Sequence, residues 1–443
     1  LTDELPIINV GKTSEIQEKM KIKITSLGCR LNQSEIESIS TLLQMRGHEI
    51  TEENDADIFI INSCAVTQRS ERKTRQLINR AMGFTGHSRP DRIIVTGCTG
   101  DDIKSDEEIT YISNDHKYLI PDIIEGNITP EEINDDKAAR FDFTPPVKCS
   151  TNRVNLKIQD GCDNFCSYCI IPYHRGNPVS KPMDQILSEF RELLQHDYKE
   201  IILTGVNIGK YSHEGNSLSD LVSEIINIGG GYRIHLTSLD PDCTDDRLLD
   251  LFSSRNIVKH LHLSLQSGSN TVLKRMNRPY TRERYLEVAE KLKSIDCDFN
   301  FTTDIIVGFP GETEEEFKDT LSIVKEVGYS HIHTFRYSKR PGTAAADMSD
   351  QIIEQTKTER SRIVADLYLK QKIDYYSRFS NKISTILTEK TGNSCTTGHN
   401  EYYIPVLVNG KLYKNEFYSV KTVLNEANYT LIGEISEKKD SLA

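Results

Sequence analysis

The sequence predicts an α/β protein in three parts: an amino-terminal α/β domain on a parallel sheet, a central partial (β/α)6 barrel, and a small all-β domain at the carboxyl end. Three observations carry this reading. In the first third, strand-like runs alternate with helical ones. After a polar break, six more strand–helix units follow. From residue 380 the chain breaks into short β-like runs separated by Gly and Asn turns. These features bound the parts at 20–145, 150–378 and 379–443.

Residues 1–19 read as an extension ahead of the first strand. The runs Lys21–Leu27, Asp57–Ser63 and Arg92–Thr96 are strand candidates, and each leads into a cysteine: Cys29, Cys64 and Cys98. Helical stretches, Ser34–Arg46 and Ser70–Met82, fill the gaps. Ligands of parallel sheets sit beyond the carboxyl ends of the strands, so three cysteines remote in sequence are expected to converge there. Residues 126–153, with Pro145–Pro146, read as a linker or domain crossing. The barrel strands are expected at Val154–Gln159, Glu200–Thr204, Tyr232–Thr237, His260–Gln266, Asp298–Val307 and His331–Tyr337. Helices are expected at Met183–His196, Ser217–Ile228, Arg282–Ile295 and Thr313–Val327, and a helix-rich stretch at Ser349–Phe379 closes the block. The tail offers Ile383–Glu389, Tyr402–Val408, Phe417–Leu424 and Tyr429–Ile435 as strands.

Bulk composition narrows the function. The 443 residues are 37 % hydrophobic and 27 % charged, with no apolar run of membrane-spanning length, and residues 1–20 lack the pattern of a signal peptide. A cytoplasmic protein without a membrane partner is expected. A net charge of −12 argues against a general nucleic-acid binder such as a DNA-binding protein, although a local basic face can act on an acidic chain. With ten cysteines and no secretion signal, metal binding explains cysteine usage better than disulfides do.

Cys162-Asp-Asn-Phe-Cys166-Ser-Tyr-Cys169 is the sharpest motif and follows the first barrel strand. Three thiolates in one tight loop can hold three irons of a 4Fe–4S cluster and leave the fourth open. An open iron can chelate S-adenosylmethionine (SAM) and pass an electron into its sulfonium, giving a radical that takes hydrogen from an unreactive C–H. This spacing resembles that of the radical SAM superfamily. The competing account is a zinc site completed by His174, which leaves the barrel pattern unexplained. Tyr168, Gly205, Asn207, Ser238, Ser264, Gln266, Asp304 and Ile306 fall at strand ends or beside the cysteines and are the candidate SAM contacts. Each taken alone is also an ordinary turn or packing residue. Cys149, Cys243, Cys297 and Cys395 lack any such arrangement and read as structural. The stretch 69–80 carries Arg69, Arg72, Lys73, Arg75 and Arg80 against a single acid, and reads either as a solvated helix face or as a phosphate-contacting helix. In the tail, lysines are about matched by acids.

The order of parts, with SLGCRLNQSE (26–35), NSCAVT (62–67), TGC (96–98), DGCDNFCSYCIIPYHRG (160–176), LSLQSGS and DIIVGFPGET, resembles the methylthiotransferases, with the tail in the place of their TRAM domain. The resemblance implies two 4Fe–4S clusters. Cys162, Cys166 and Cys169 would hold the one that cleaves SAM; Cys29, Cys64 and Cys98 would hold an auxiliary one carrying a sulfur species. One SAM would supply a methyl group, a second the radical, and a reductase or flavodoxin-like donor the electron. Branches of the family act on isopentenyladenosine or threonylcarbamoyladenosine in tRNA, or on an aspartate of a ribosomal protein. The loop 28–35 with Cys64–Thr67 looks most like the branch that methylthiolates C2 of N6-threonylcarbamoyladenosine next to the tRNA anticodon. A rival of another class is a zinc-stabilised RNA-binding protein without catalysis.

Overall fold

The computed structural model describes residues 19–64, 68–83, 89–98, 107–133, 140–143, 145–146 and 152–439. The expectations placed on residues 1–18, on Ala65–Thr67 and on Cys149 lie outside these.

The amino-terminal sheet contains β1 (Lys21–Ser26), β2 (Glu49–Thr51), β3 (Ile58–Ser63), β4 (Arg92–Gly97) and β5 (Thr110–Ile112), all parallel, in the order β2-β1-β3-β4-β5. Every residue of β3 is buried, as a central parallel strand covered on both faces requires. Helices α1 (Arg30–Met45) and α2 (Gln68–Ala81) connect the strands. The chain runs from β1 outward to β2 and returns past β1 to β3, so the winding reverses between β1 and β3. Doubly wound sheets open a crevice for ligands at that point, and Cys29 and Cys64 stand on its two sides. Cys98 follows the neighbouring β4.

The central block holds six parallel strands: β6 (Arg153–Lys157), β7 (Glu200–Thr204), β8 (Arg233–Leu236), β9 (His260–His262), β10 (Asn300–Val307) and β11 (His331–Arg336). The first three and the last three form two sheets, joined by bridges Ile234–Ile257 and Leu239–Leu263 into an open barrel. Helices α3 (Met183–Gln195), α4 (Leu218–Asn227), α5 (Arg282–Ile295), α6 (Glu314–Val327) and α7 (Glu354–Ser377) pack around it. The largest apolar core lies between these helices and the strands. The expected strand His260–Gln266 ends early as regular structure: after His262 the chain keeps only single bridges, and Gln266 takes a left-handed backbone (φ +62°).

The tail is a closed five-stranded barrel of β12 (Ile383–Thr391), β13 (Cys395–His399), β14 (Pro405–Asn409), β15 (Phe417–Asn425) and β16 (Thr430–Lys439). It caps the base of the central barrel, where the strands begin. The Lys259 amide donates to the Glu401 carbonyl (2.8 Å), Asn300 Nδ2 to the Tyr402 carbonyl (2.7 Å), and Arg233 to the His399 carbonyl (3.1 Å). Tyr403 enters the barrel base, its hydroxyl accepting from Arg153 (2.6 Å) and Arg30 (3.0 Å), its ring stacked 4.6 Å from His399.

A buried ionic network ties the amino-terminal domain to the barrel. Glu35 of α1 is ion-paired with Lys117, with Lys157 (2.9 Å) and with Arg175 (3.1 Å). Asp160 takes the other sides of Lys157 (2.7 Å) and Arg175 (2.9 Å). These cations hold the Glu35 carboxyl well below its ordinary value against the cost of burial, and bring Asp160 down to about 2. Removing one member leaves buried charge without a partner, at a cost of about 3–5 kcal/mol. Glu35→Gln is therefore expected to lower the urea midpoint of the cluster-loaded protein clearly, whereas an unchanged midpoint would show that the network is solvated in solution.

Candidate active site

The loop 160–169 is shaped by contacts that only its particular residues permit. Gly161 has φ +76°, and a Cβ there would overlap the Asn177 carbonyl. The Cys162 amide donates to the Gly176 carbonyl (3.0 Å) and the Cys169 amide to that of Cys166 (2.8 Å), so the loop folds back on itself. From across the barrel, Asn277 Nδ2 donates to the carbonyls of Asn164 (3.0 Å) and Phe165 (3.1 Å), and the Ser167 amide reaches the Met276 carbonyl (3.0 Å). Arg278 Nη1 lies 3.1 Å from Cys166 Sγ, and the same guanidinium pairs with Asp240. Asp240 in turn accepts from Asn164 (3.1 Å) and Asn207 (3.3 Å). Burial pushes the Cys169 thiol up to about 12 and raises Cys162. Metal binding must displace those protons.

The second set forms at the sheet crevice. Gly28 has φ +97°, and any side chain there would collide with the Cys64 thiol, so the loop carrying Cys29 closes directly over Cys64. Gly97, at φ +99°, lets the loop before Cys98 pack on the Ser63 carbonyl. Cys29 and Cys98 lie within electrostatic reach of each other, and both are within reach of Arg175. Burial raises the Cys29 thiol, and Arg175 opposes that rise. Cys29 is surrounded by protein yet open to water, because it faces a cavity.

That cavity, about 740 Å3, is walled by all three of these cysteines, by Gly205, Ser238 and Asp304 of the barrel, and by His399 and Tyr403 of the tail. Its size is that of a small-molecule or nucleoside site. Arg340, just beyond β11, is within electrostatic reach of Cys64 in one set and Cys169 in the other, so the two sets are neighbours. Three thiols in each set, on loops whose close packing depends on Gly161 in one and on Gly28 and Gly97 in the other, fit the three-cysteine ligation of a 4Fe–4S cluster. Cys243, Cys297 and Cys395 belong to neither set; Cys243 packs against Gly209.

The expected SAM contacts divide. Gly205, Ser238 and Asp304 line the cavity. The Tyr168 ring instead packs edge-on to Phe309 (6.5 Å) in a small apolar cluster that includes Ile306. Asn207 is buried with its amide on Gln159 Oε1 (2.9 Å). Ser264 offers its carbonyl to Tyr280 (2.8 Å), and the Gln266 backbone bridges to β10. On α2, Arg72, Lys73, Arg75 and Arg80 are exposed while Thr74 and Ile78 face inward; of Arg69 only the backbone is described.

Residues 156–324 match the radical SAM superfamily, and residues 21–118 match the uncharacterized protein family UPF0004. The chain is 37 % identical to the threonylcarbamoyladenosine tRNA methylthiotransferase MtaB of Chlamydia pneumoniae, over 94 % of this chain and 98 % of that protein. It is 32 % identical to the tRNA-2-methylthio-N(6)-dimethylallyladenosine synthase of Acetivibrio thermocellus, over 98 % and 91 %. The chain belongs to the radical SAM tRNA methylthiotransferases. In fold, this methylthiotransferase is similar to the radical S-adenosylmethionine methyltransferase TsrM of Kitasatospora setae, with a TM-score of 0.53 at 10 % identity over 74 % and 75 % of the two chains. Its cofactors are SAM and two 4Fe–4S clusters.

Sequence reasoning missed Asp240, Arg278, Arg340 and the Glu35 network. It also missed a histidine-lined barrel interior, although HLH (260–262) and HIH (331–333) carry the signal: residues two apart on a strand share a face. No helix among the described residues is long and apolar enough to cross a membrane.

The two cysteine sets are expected to separate in mutants. Cys166→Ala should abolish reductive SAM cleavage, measured as 5′-deoxyadenosine. Cys64→Ala should keep part of it while losing methylthiolation. Equal loss of 5′-deoxyadenosine in both would show that the sets do not act independently.

Proposed function

We propose that this methylthiotransferase acts on N6-threonylcarbamoyladenosine next to the tRNA anticodon, placing a methylthio group on C2. In this reading Cys162, Cys166 and Cys169 hold the SAM-cleaving cluster, and Cys29, Cys64 and Cys98 hold the one that presents sulfur. The clusters supply electron transfer and sulfur; the chain supplies position. Gly205 and Ser238 line the cavity at the carboxyl ends of their strands, where SAM would bind, while Arg278 and Asp240 hold the loop of the first set. The auxiliary set opens onto the cavity, and Arg340 lies within electrostatic reach of both Cys64 and Cys169, so an adenosine bound there need not be released between sulfur delivery and radical formation.

The observation that favours this substrate over the isopentenyl one is the chemistry of the cavity wall. Facing the auxiliary cysteines are His235, His260, His262, Asp304, His331, His333 and Lys372. An isopentenyl group offers no hydrogen bond and would leave such groups facing hydrocarbon, which is costly. A threonylcarbamoyl group carries a urea, a hydroxyl and a carboxylate, each of which such side chains can pair. The loop 28–35 supports the same branch. The exposed cations of α2, beside Cys64, are placed to meet the tRNA backbone on an otherwise acidic protein. A cytoplasmic setting and a flavodoxin-like electron donor complete the proposal.

Mass spectrometry of tRNA nucleosides tests it. Expressed in a host lacking the threonylcarbamoyl-type methylthiotransferase, the wild-type chain should produce 2-methylthio-N6-threonylcarbamoyladenosine, and Cys162→Ala should not. An iron-loaded protein that yields the isopentenyl product instead would overturn the substrate assignment.

A further inference from the structure

The cavity wall contains three permanent cations, Arg30, Arg175 and Lys372. Two are engaged. Arg175 is held by Glu35 and Asp160, and Arg30 donates to the Tyr403 hydroxyl (3.0 Å). Among the described residues Lys372 has neither a carboxylate nor a hydroxyl partner; its ammonium rests 5.2 Å from the centre of the Tyr376 ring. It projects from α7 into the floor of the cavity, near the start of β11, beside His331 and His333, whose rings are 4.4 Å apart. Burial lowers both imidazoles, His331 to about 4, and Lys372 adds to the shift at His331. Near neutral pH they are therefore uncharged hydrogen-bonding groups around a single ammonium. An ammonium flanked by imidazoles in a cavity floor suits a carboxylate that carries neighbouring polar groups.

Resting on the substrate reading above, we infer that Lys372 receives the carboxylate of the threonylcarbamoyl group, with His331 and His333 beside it. The reaction places C2 of the purine toward the auxiliary cysteines, and the N6 substituent extends away from C2. The cluster end of the cavity and its floor match those two ends of the nucleoside. Lys372 is thus a specificity residue: it distinguishes an anionic N6 substituent from a neutral one of similar size.

The test uses the cluster-loaded enzyme and three tRNA substrates, bearing N6-threonylcarbamoyladenosine, its carboxamide in place of the carboxylate, or isopentenyladenosine. Wild type, Lys372→Met and Lys372→Arg are compared, with iron content measured for each. A charged hydrogen bond of this kind predicts an about ten- to hundred-fold higher KM for the carboxylate substrate in Lys372→Met. Lys372→Arg should recover most of it, and the weaker reaction of the carboxamide should be the same in wild type and Lys372→Met. An unchanged KM for the carboxylate substrate, or an equal rise for carboxylate and carboxamide, overturns the assignment of Lys372 and leaves the substrate reading standing. A wild type that prefers isopentenyladenosine overturns the substrate reading, and the Lys372 assignment with it.

Discussion

Glu35 is the point on which the geometry of the site depends. Its carboxylate is buried at the seam between the amino-terminal domain and the barrel and gathers Lys117 from one side, Lys157 and Arg175 from the other. Charges removed from water are tolerated only when paired in fixed geometry, so the seam has one docking position. That position sets Cys29, three residues before Asn32, whose side chain also accepts from Arg175 (2.7 Å) and donates to the Ser63 carbonyl (2.8 Å) beside Cys64. Counted together, three cations face two carboxylates, which leaves one positive charge next to the auxiliary cysteines. Such an excess offsets the thiolates that a cluster requires.

Two general features of α/β folds then build the cavity. The reversal between β1 and β3 opens a crevice at the cysteine-bearing end of the sheet, and the barrel presents its own strand ends to the same space. The tail closes the opposite end. Its contacts fall on residues at or just before the strand starts, such as Arg233, Lys259 and Asn300, and Tyr403 fills the opening between them. The result is a cavity with the auxiliary cysteines at one end and a polar, histidine-lined floor at the other.

How much of this could be read from the sequence follows from how local each feature is. The cysteine sets were legible because their signals are short: a C-x3-C-x2-C loop, and cysteines directly after apolar strands. The barrel alternation was legible for the same reason, and α5 runs from Arg282 to Ile295 as its spacing predicts. Strand β13 was not, because NSCTTGHN reads as turn chemistry and lacks apolar alternation; it forms because the neighbours on either side supply its hydrogen bonds. Tyr168 sits beside two cluster cysteines, yet its ring is drawn into apolar packing. Arg278, Asp240, Lys372 and Tyr403 act through partners remote in sequence, so single residues in loops or on a long helix give no periodicity that would reveal them.

In the proposed function, C2 of the target adenosine lies in the cavity against the auxiliary cysteines, within reach of the radical formed at the first set. The most direct measurement uses tRNA whose threonylcarbamoyladenosine carries deuterium at C2. During turnover, deuterium should enter 5′-deoxyadenosine as the methylthio product accumulates. Product formation with 5′-deoxyadenosine free of deuterium, under conditions where C2 does not exchange with solvent, would contradict the account.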